Sequence, residues 1–329
     1  MSWVELCLDT KTEAVDWVCT LLATTNYTSD IRISSYQEAS ETKEDWRFTV
    51  CFYLANDVYA NQRIQQIQDL LSALQRTKLT TAIRAYVVAE KPQGTNIDNF
   101  PVYIGKRFVV LSPDAIYKYE GKFERKAERK SEYKSEPADR IILRLKTSLA
   151  FGSGLHPATM LAMGLLERYV NPKMNVLDLG SGSGILSIAI AKLGGQVLAL
   201  DSDRIAVEST QDAIKRNGVE QQVKVMQGSL GKGSEIGHWM GRDSIGEIST
   251  INPNANFDLI VANILGRVHT TLAPDYRQAL RLGGMLIASG FNEDYQESVV
   301  TALTAEGFEM VERESLGEWI AIALRLKIS

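Results

Sequence analysis

Two carboxylates and three glycines set out the first chemistry in this chain. Asp178 stands two residues ahead of Gly180, which is followed by Ser181, Gly182 and Gly184, in the run Asn175-Val-Leu-Asp-Leu-Gly-Ser-Gly-Ser-Gly-Ile-Leu186. Asp201 and Ser202 close a second apolar run, Val197-Leu-Ala-Leu. Glycines in a turn let a ligand approach the backbone, and the free N–H groups at the start of the following helix favour electron-rich ligand groups. An acidic residue at the tip of the second strand is placed to hydrogen-bond a ribose diol. Together these describe a nucleoside site. The spacing departs from the dinucleotide pattern: Gly-x-Gly-x-x-Gly sets a helix N-terminus against a pyrophosphate, and here the last glycine comes one residue earlier. A purely structural tight turn would explain the glycines but not the flanking strands or Asp201.

Asp-x-Gly-x-Gly-x-Gly is similar to motif I of the class I S-adenosylmethionine-dependent methyltransferases, whose cofactor carries no phosphate. Methyl transfer from a sulfonium is an in-line displacement, so positioning and a dry site are the main demands on the protein. An amine acceptor must first lose a proton, because an ammonium has no lone pair. Asn263, in Val-Ala-Asn-Ile-Leu265 at the end of a later apolar strand, could accept the amine's hydrogens and aim that lone pair. The competing reading is that Asn263 only caps a strand-to-helix turn.

Elements must bring these residues together. From Asn175, buried strands alternate with amphipathic helices: Gln196–Leu200, a helix near Arg204–Asn217 ending at Gly218, then Gln222–Met226, Phe257–Ala262 and Met285–Ser289. Phe308–Arg313 and Trp319–Leu326 read as a closing antiparallel hairpin. Near-continuous apolar strands separated by helices predict a parallel sheet covered on both faces. The first 90 residues read βαββαβ, the split βαβ or ferredoxin-like order. Its aromatic strand (Trp46, Phe48, Phe52, Tyr53) is expected to serve core and interface packing rather than base stacking. The fold class is therefore α/β: a doubly wound, Rossmann-like sheet with a terminal antiparallel hairpin, preceded by an α+β ferredoxin-like domain. The expected divisions are 1–90 for substrate recognition, 91–139 as a linker and 140–329 for the methyltransferase domain. Within the linker, the x-Glu-x-Lys repeat at Tyr119–Lys134 puts like charges at i,i+4, which disfavours a helix. It is expected to be a solvated excursion or a polar contact surface. Gly228–Asn256, rich in Gly, Ser and Asn, is expected as a long loop.

A formal net charge of −4 makes the chain a poor candidate for gripping a nucleic-acid backbone and better suited to a basic protein partner. No apolar stretch reaches membrane-spanning length, and the N-terminus shows no leader, so a cytoplasmic protein is expected. Cys7, Cys19 and Cys51 lack metal-ligand spacing; reduced thiols and no metal site are expected.

Three stretches carry a closer resemblance: Leu149-Ala-Phe-Gly-Ser-Gly-Leu-His-Pro-Ala-Thr159, Leu179–Ala189 and Val261–Leu265. They resemble those of the ribosomal protein L-eleven methyltransferase family, PrmA, and the closing Gly317-Glu-Trp-Ile-Ala-Ile is also similar. The resemblance implies S-adenosyl-L-methionine as cofactor and amino groups of a large-subunit ribosomal protein, lysine side chains or the N-terminal α-amine, as acceptors. It implies that Gly180, Gly182 and Gly184 line the methionine end, that Asp201 holds the ribose, that Ser229 lies toward the adenine, and that Asp178, Ser181 and Ser202 also bind the cofactor. Phe151, Gly154, His156 and Thr159 would close the pocket, and Asn263 would orient the amine; His156 is a candidate base. A monomer is expected. The chain departs from the family pattern at Ser153, at Ala158 and at Lys146-Thr-Ser148, and it lacks the usual tryptophan-rich linker. Alternatives are another protein lysine or a small amine as acceptor, or a cofactor-binding scaffold without turnover.

Overall fold

The computed structural model describes residues 2–25, 27, 31–36, 45–91, 101–113, 115, 140–146, 153–231, 250–252 and 254–328. The Glu/Lys repeat and Phe151 lie outside them, as does most of the Gly228–Asn256 stretch.

The N-terminal unit runs β1 (Trp3–Thr10), α1 (Ala14–Ala23), β2 (Ile31–Ser35), β3 (Phe48–Ala55), α2 (Ala60–Arg76) and β4 (Arg84–Val88). Its sheet is antiparallel throughout, in the order β2-β3-β1-β4. Alternate residues of β1 (Val4, Leu6, Leu8) join Val15, Val18 and Leu22 of α1 and Ile67 and Leu71 of α2 in one apolar cluster. Phe52 is part of that core, and the Tyr53 hydroxyl donates to Glu5 Oε1 at 2.7 Å. On the other face of the sheet the expectation of reduced thiols fails. Cys7 and Cys51 stand directly opposite each other in the β1–β3 register and are joined as a disulfide, while Cys19 is buried and free. Sequence spacing says nothing about strand register, which is what made the pair.

Residues read as linker also hold structure. β5 (Val102–Ile104) and β6 (Phe108–Leu111) form an antiparallel pair, and β6 pairs in parallel with β7 (Ile141–Arg144). Val102, Ile104, Phe108 and Val110 are buried in the same apolar cluster as Ile185 and Leu186, so the apolar faces of these short strands account for them.

The large sheet follows α3 (Pro157–Tyr169). In chain order it comprises β8 (Asn175–Leu179), α4 (Ile185–Lys192), β9 (Gln196–Asp201), α5 (Arg204–Asn217) and β10 (Val223–Gln227), then, after the two-residue strands β11 (Ser229–Leu230) and β12 (Thr250–Ile251), β13 (Phe257–Asn263), α6 (Gly266–Ala279), β14 (Leu280–Asn292), α7 (Glu293–Ala305), β15 (Phe308–Leu316) and β16 (Trp319–Leu326). The spatial order is β10-β9-β8-β13-β14-β16-β15, with the first five mutually parallel and β16 antiparallel to both of its neighbours, β14 and β15. β11 and β12 pair with each other in parallel. Strand alternation splits the core. Val176, Val197, Val261 and Ile287 share a cluster with α3, α4 and α5. Leu177, Ile260, Leu286 and Ile322 share another with α6 and α7. The chain leaves β8 toward β9 on one side and arrives at β13 on the other. Such a reversal opens a crevice beyond the carboxyl ends of the two strands, where α/β sheets bind ligands.

Candidate active site

The crevice is built from the turn after β8. Gly180 and Ser181 donate their N–H groups to the carbonyl of Leu200 at 2.8 and 3.0 Å, tying the turn to the end of β9. Gly182 N donates to Asp201 Oδ2 and Asp203 N to Asp201 Oδ1, both at 2.9 Å, so backbone amides hold the carboxylate at the strand tip. Gly184 starts α4 with φ 83°, and a Cβ there would meet Thr210 Cα at 3.0 Å. Its requirement for glycine thus comes from α5 packing behind the turn. Asp178 lies fully buried beneath the loop, with Ser187 donating to its Oδ2. Burial, with the Asp201 charge adding to it, pushes the Asp178 carboxyl up to about 7.

β13 supplies the opposite wall. Leu179 pairs with Ala262, so Asn263 stands beside the glycine turn. Asn263 Nδ2 donates to Thr159 Oγ1 at 3.1 Å; its Oδ1 is buried and has no hydrogen-bond partner among the described residues. The next residue is fixed from behind: Ile264 N donates to Ser289 O at 3.0 Å, and the Ser289 hydroxyl donates to Ala158 O at 2.9 Å. His269 Nε2 also reaches Ser289 O, at 2.9 Å, and the Tyr276 hydroxyl lies 3.3 Å from His269 Nδ1. Burial holds His269 neutral, with a pKa lowered to about 4. Gly290 packs so closely on this turn that a Cβ would come within 2.5 Å of Ile264 O.

Between the walls is a cavity open to solvent. Gly180, Ser181, Gly182, Asp201, Ser202 and Ser229 line one side, Thr159 and Asn263 the other. Among the described lining residues Asp201 is the only charged one. A mostly apolar pocket with an anchored carboxylate, approachable glycine backbone and one unsatisfied amide oxygen fits a ribose-bearing ligand and a second reactant with N–H to donate.

Over residues 2–327 the chain matches the family described as ribosomal protein L11 methyltransferase (PrmA). It belongs to that family. Among the relatives, the ribosomal protein L11 methyltransferase of Chloroflexus aurantiacus is 37% identical over 338 residues, covering 98% of each chain. That of Herpetosiphon aurantiacus is 34% identical, with 99% of each chain covered. A crystal structure of a ribosomal protein L11 methylase from Lactobacillus delbrueckii subsp. bulgaricus is similar with a TM-score of 0.52 and 27% identity, covering 69% of this chain and 98% of that one.

Not every residue singled out by family resemblance reaches the cavity surface. Gly154 sits behind it, where a Cβ would press on Ile185 Cδ1 at 3.0 Å. His156 is the N-cap of α3: its Nδ1 accepts the N–H of Ala158 at 3.2 Å, and its ring stands edge-on to Trp319, centroids 4.3 Å apart. Burial lowers its pKa to about 4. Those contacts describe a helix cap that steadies Trp319, and the base role has no geometric support. Asp178 and Gly184 support the turn from below and behind. The lining residues absent from the candidates include two tryptophans, Trp17 of α1 and Trp319 at the start of β16. Trp319 sits in the Gly-Glu-Trp segment that resembles the family. Trp17 carried a subtler signal, a large aromatic off the Val15–Val18–Leu22 stripe.

Proposed function

We propose that this chain transfers methyl groups from S-adenosyl-L-methionine to amino groups of a protein, lysine side chains or the N-terminal α-amine, and that the protein is ribosomal protein L11. The observation that carries this reading is Asn263: its Oδ1 is a buried acceptor without a partner among the described residues, and the residue lines the same cavity as Gly180–Gly182 and Asp201. The cofactor, when bound, supplies an electrophilic methyl on a sulfonium. Asp201, held by two backbone amides, accepts the ribose hydroxyls. The glycine turn admits the methionine end, and Ser202 and Ser229 line the side taken by the nucleoside. Asn263 Oδ1 accepts an N–H of the neutral amine and points its lone pair into the cavity; the amine's extra proton leaves to solvent beforehand. Thr159 fixes the amide by accepting from Nδ2. Relatives named for this substrate, at 31–37% identity over nearly the whole chain, support L11 as the acceptor.

The test is incubation of purified protein with L11 and methyl-labelled S-adenosylmethionine. Label in L11 supports the reading. Label in another cytosolic protein instead would redirect it, and cofactor binding without transfer to any protein would favour a scaffold.

We further infer that the N-terminal unit is ferredoxin-like and recognises the substrate, a reading supported by its βαββαβ order and β2-β3-β1-β4 sheet. We divide the chain at 1–90, 91–139 and 140–329, with β5 and β6 in the connector packing onto the last unit. A monomeric enzyme acting in the cytoplasm, without sequence-specific nucleic-acid contacts, fits a slightly acidic chain among whose described residues no helix is long and apolar enough to cross a membrane.

A further inference from the structure

Helix α1 is buried on two faces. Val15, Val18 and Leu22 enter the N-terminal core, yet Asp16 and Thr20 are also buried, at 1% and 7% exposure, on a polar side of the same helix. Asp16 Oδ1 accepts the backbone N–H of Ser153 at 3.1 Å, a contact 137 positions away in the approach to α3. The Thr20 hydroxyl donates to Asp16 O at 2.7 Å, bracing this face of the helix. Trp17, half-buried between them in sequence, lines the active-site cavity. All the other described lining residues fall between Thr159 and Trp319, so Trp17 is the N-terminal unit's contribution to the site.

The electrostatics of the cavity say what such a residue can do. Asp201 is the one charged side chain among the described lining residues, and both its oxygens accept backbone N–H groups. Away from Asp201, a positive centre in this cavity meets hydroxyls, an amide, aliphatic groups and two indoles. The face of an indole is the strongest side-chain π-site for a cation.

We propose that Trp17 is a specificity-determining residue of the methyl-transfer site: its indole, carried by α1 and seated by the Asp16–Ser153 hydrogen bond, recognises the positive charge of a bound ligand. The proposal rests on the methyltransferase reading. The cation is either the cofactor's sulfonium or the ammonium of a methylated acceptor. After transfer the cofactor sulfur is a neutral thioether, to which an indole face offers no charge attraction, so a sulfonium-recognising Trp17 would bind substrate cofactor in preference to product.

The experiment compares the full-length protein with Trp17→Leu, which keeps apolar bulk without a π-face, and Trp17→Phe, which keeps one. Calorimetry gives the affinities for S-adenosylmethionine and S-adenosylhomocysteine; label transfer gives kcat and KM for the acceptor; thermal melts check folding. For a sulfonium contact, Trp17→Leu weakens S-adenosylmethionine binding about 2- to 30-fold while S-adenosylhomocysteine changes less than about 2-fold, and Trp17→Phe restores most of the preference. For contact with the ammonium of the methylated product, both cofactor affinities hold and the inhibition constant of the methylated protein rises in Trp17→Leu but recovers in Trp17→Phe. Equal losses for sulfonium and thioether, Leu and Phe variants that behave alike, or no change at all overturn the proposal. Failure of the underlying reading shows separately, as a parent protein that neither binds S-adenosylmethionine nor transfers label.

Discussion

Replacing Asn263 by alanine removes two things the structure distinguishes. One is the buried Oδ1, without a partner among the described residues; the other is the 3.1 Å bond from Nδ2 to Thr159 Oγ1. If Oδ1 holds the acceptor amine, its loss acts on the reacting geometry. Removing one aimed polar group of this kind costs about 10²- to 10³-fold in kcat, roughly 3–4 kcal/mol. Cofactor affinity should move by less than about 3-fold, under roughly 0.7 kcal/mol, because the glycine turn and Asp201 remain in place. Loss of the Thr159 bond adds about 1 kcal/mol of destabilisation and leaves the pocket otherwise intact. Thr159→Val keeps the acceptor oxygen and loses only its orientation, so about 10-fold in kcat is expected, with cofactor affinity again held. The assay is initial-rate label transfer at saturating cofactor, paired with calorimetric affinity for S-adenosylhomocysteine. Parallel loss of kcat and cofactor affinity in Asn263→Ala would refute the acceptor-orienting role and leave Asn263 as a structural cap.

Asp178, pushed up to about 7 by burial, binds more protons folded than unfolded between about pH 4 and 7, so it lowers stability as pH rises through that window. His156 and His269, lowered to about 4, act in the opposite sense between about pH 4 and 6.5; the difference between parent and Asp178→Asn melting curves across pH isolates the aspartate, and a pH-independent difference would contradict its burial as a titrating acid. Gly290→Ala should cost more than the roughly 1–2 kcal/mol of a left-handed alanine, because at φ 92° its Cβ would also lie 2.5 Å from Ile264 O; a melt and kcat indistinguishable from the parent would show that the Asn263–Ile264 turn is not clamped there. Reducing the Cys7–Cys51 bond, which spans 44 positions, should lower the stability of the N-terminal unit by up to about 4 kcal/mol on a chain-entropy estimate, read as a melting shift with and without dithiothreitol and absent in Cys7→Ser.

Local chemistry was legible and through-space chemistry was not. The glycine turn and Asp201 are adjacent strand ends, and the residue types within each short segment sufficed to find them. Asn263 could be named because a strand terminus in a parallel sheet faces the ligand crevice whatever follows. The cavity's aromatic walls depend on tertiary docking instead. Trp17 reaches it only because α1 is sandwiched between the N-terminal core and the Ser153 segment, and Trp319 because the hairpin returns beside β14. The Cys7–Cys51 pairing likewise follows from a register set by the alternation of β1 and β3. His156 misled for a related reason: a histidine before Pro157 satisfies a helix start as well as it would serve a base, and its Nδ1 is spent on the Ala158 amide.

The same geometry explains why a pocket for a cationic reagent carries so little negative charge. A second carboxylate beside Asn263 would hold an incoming amine as ammonium, with no lone pair to give. The chain instead presents a neutral amide oxygen, braced by Thr159 in front and by the Ser289–Ile264 backbone bond behind. Asp178, the other acid in the motif, is kept out of the cavity beneath the turn, where burial favours its neutral form. Among the described lining residues charge is thus confined to Asp201 at one side of the cavity, while the side of Asn263 is left to neutral dipoles and indoles. Adding a carboxylate there, as in Thr159→Glu, should slow transfer most steeply at low pH, where a stabilised ammonium predominates, and recover as pH rises; a loss independent of pH would mean that steric exclusion, not amine protonation, controls the acceptor side.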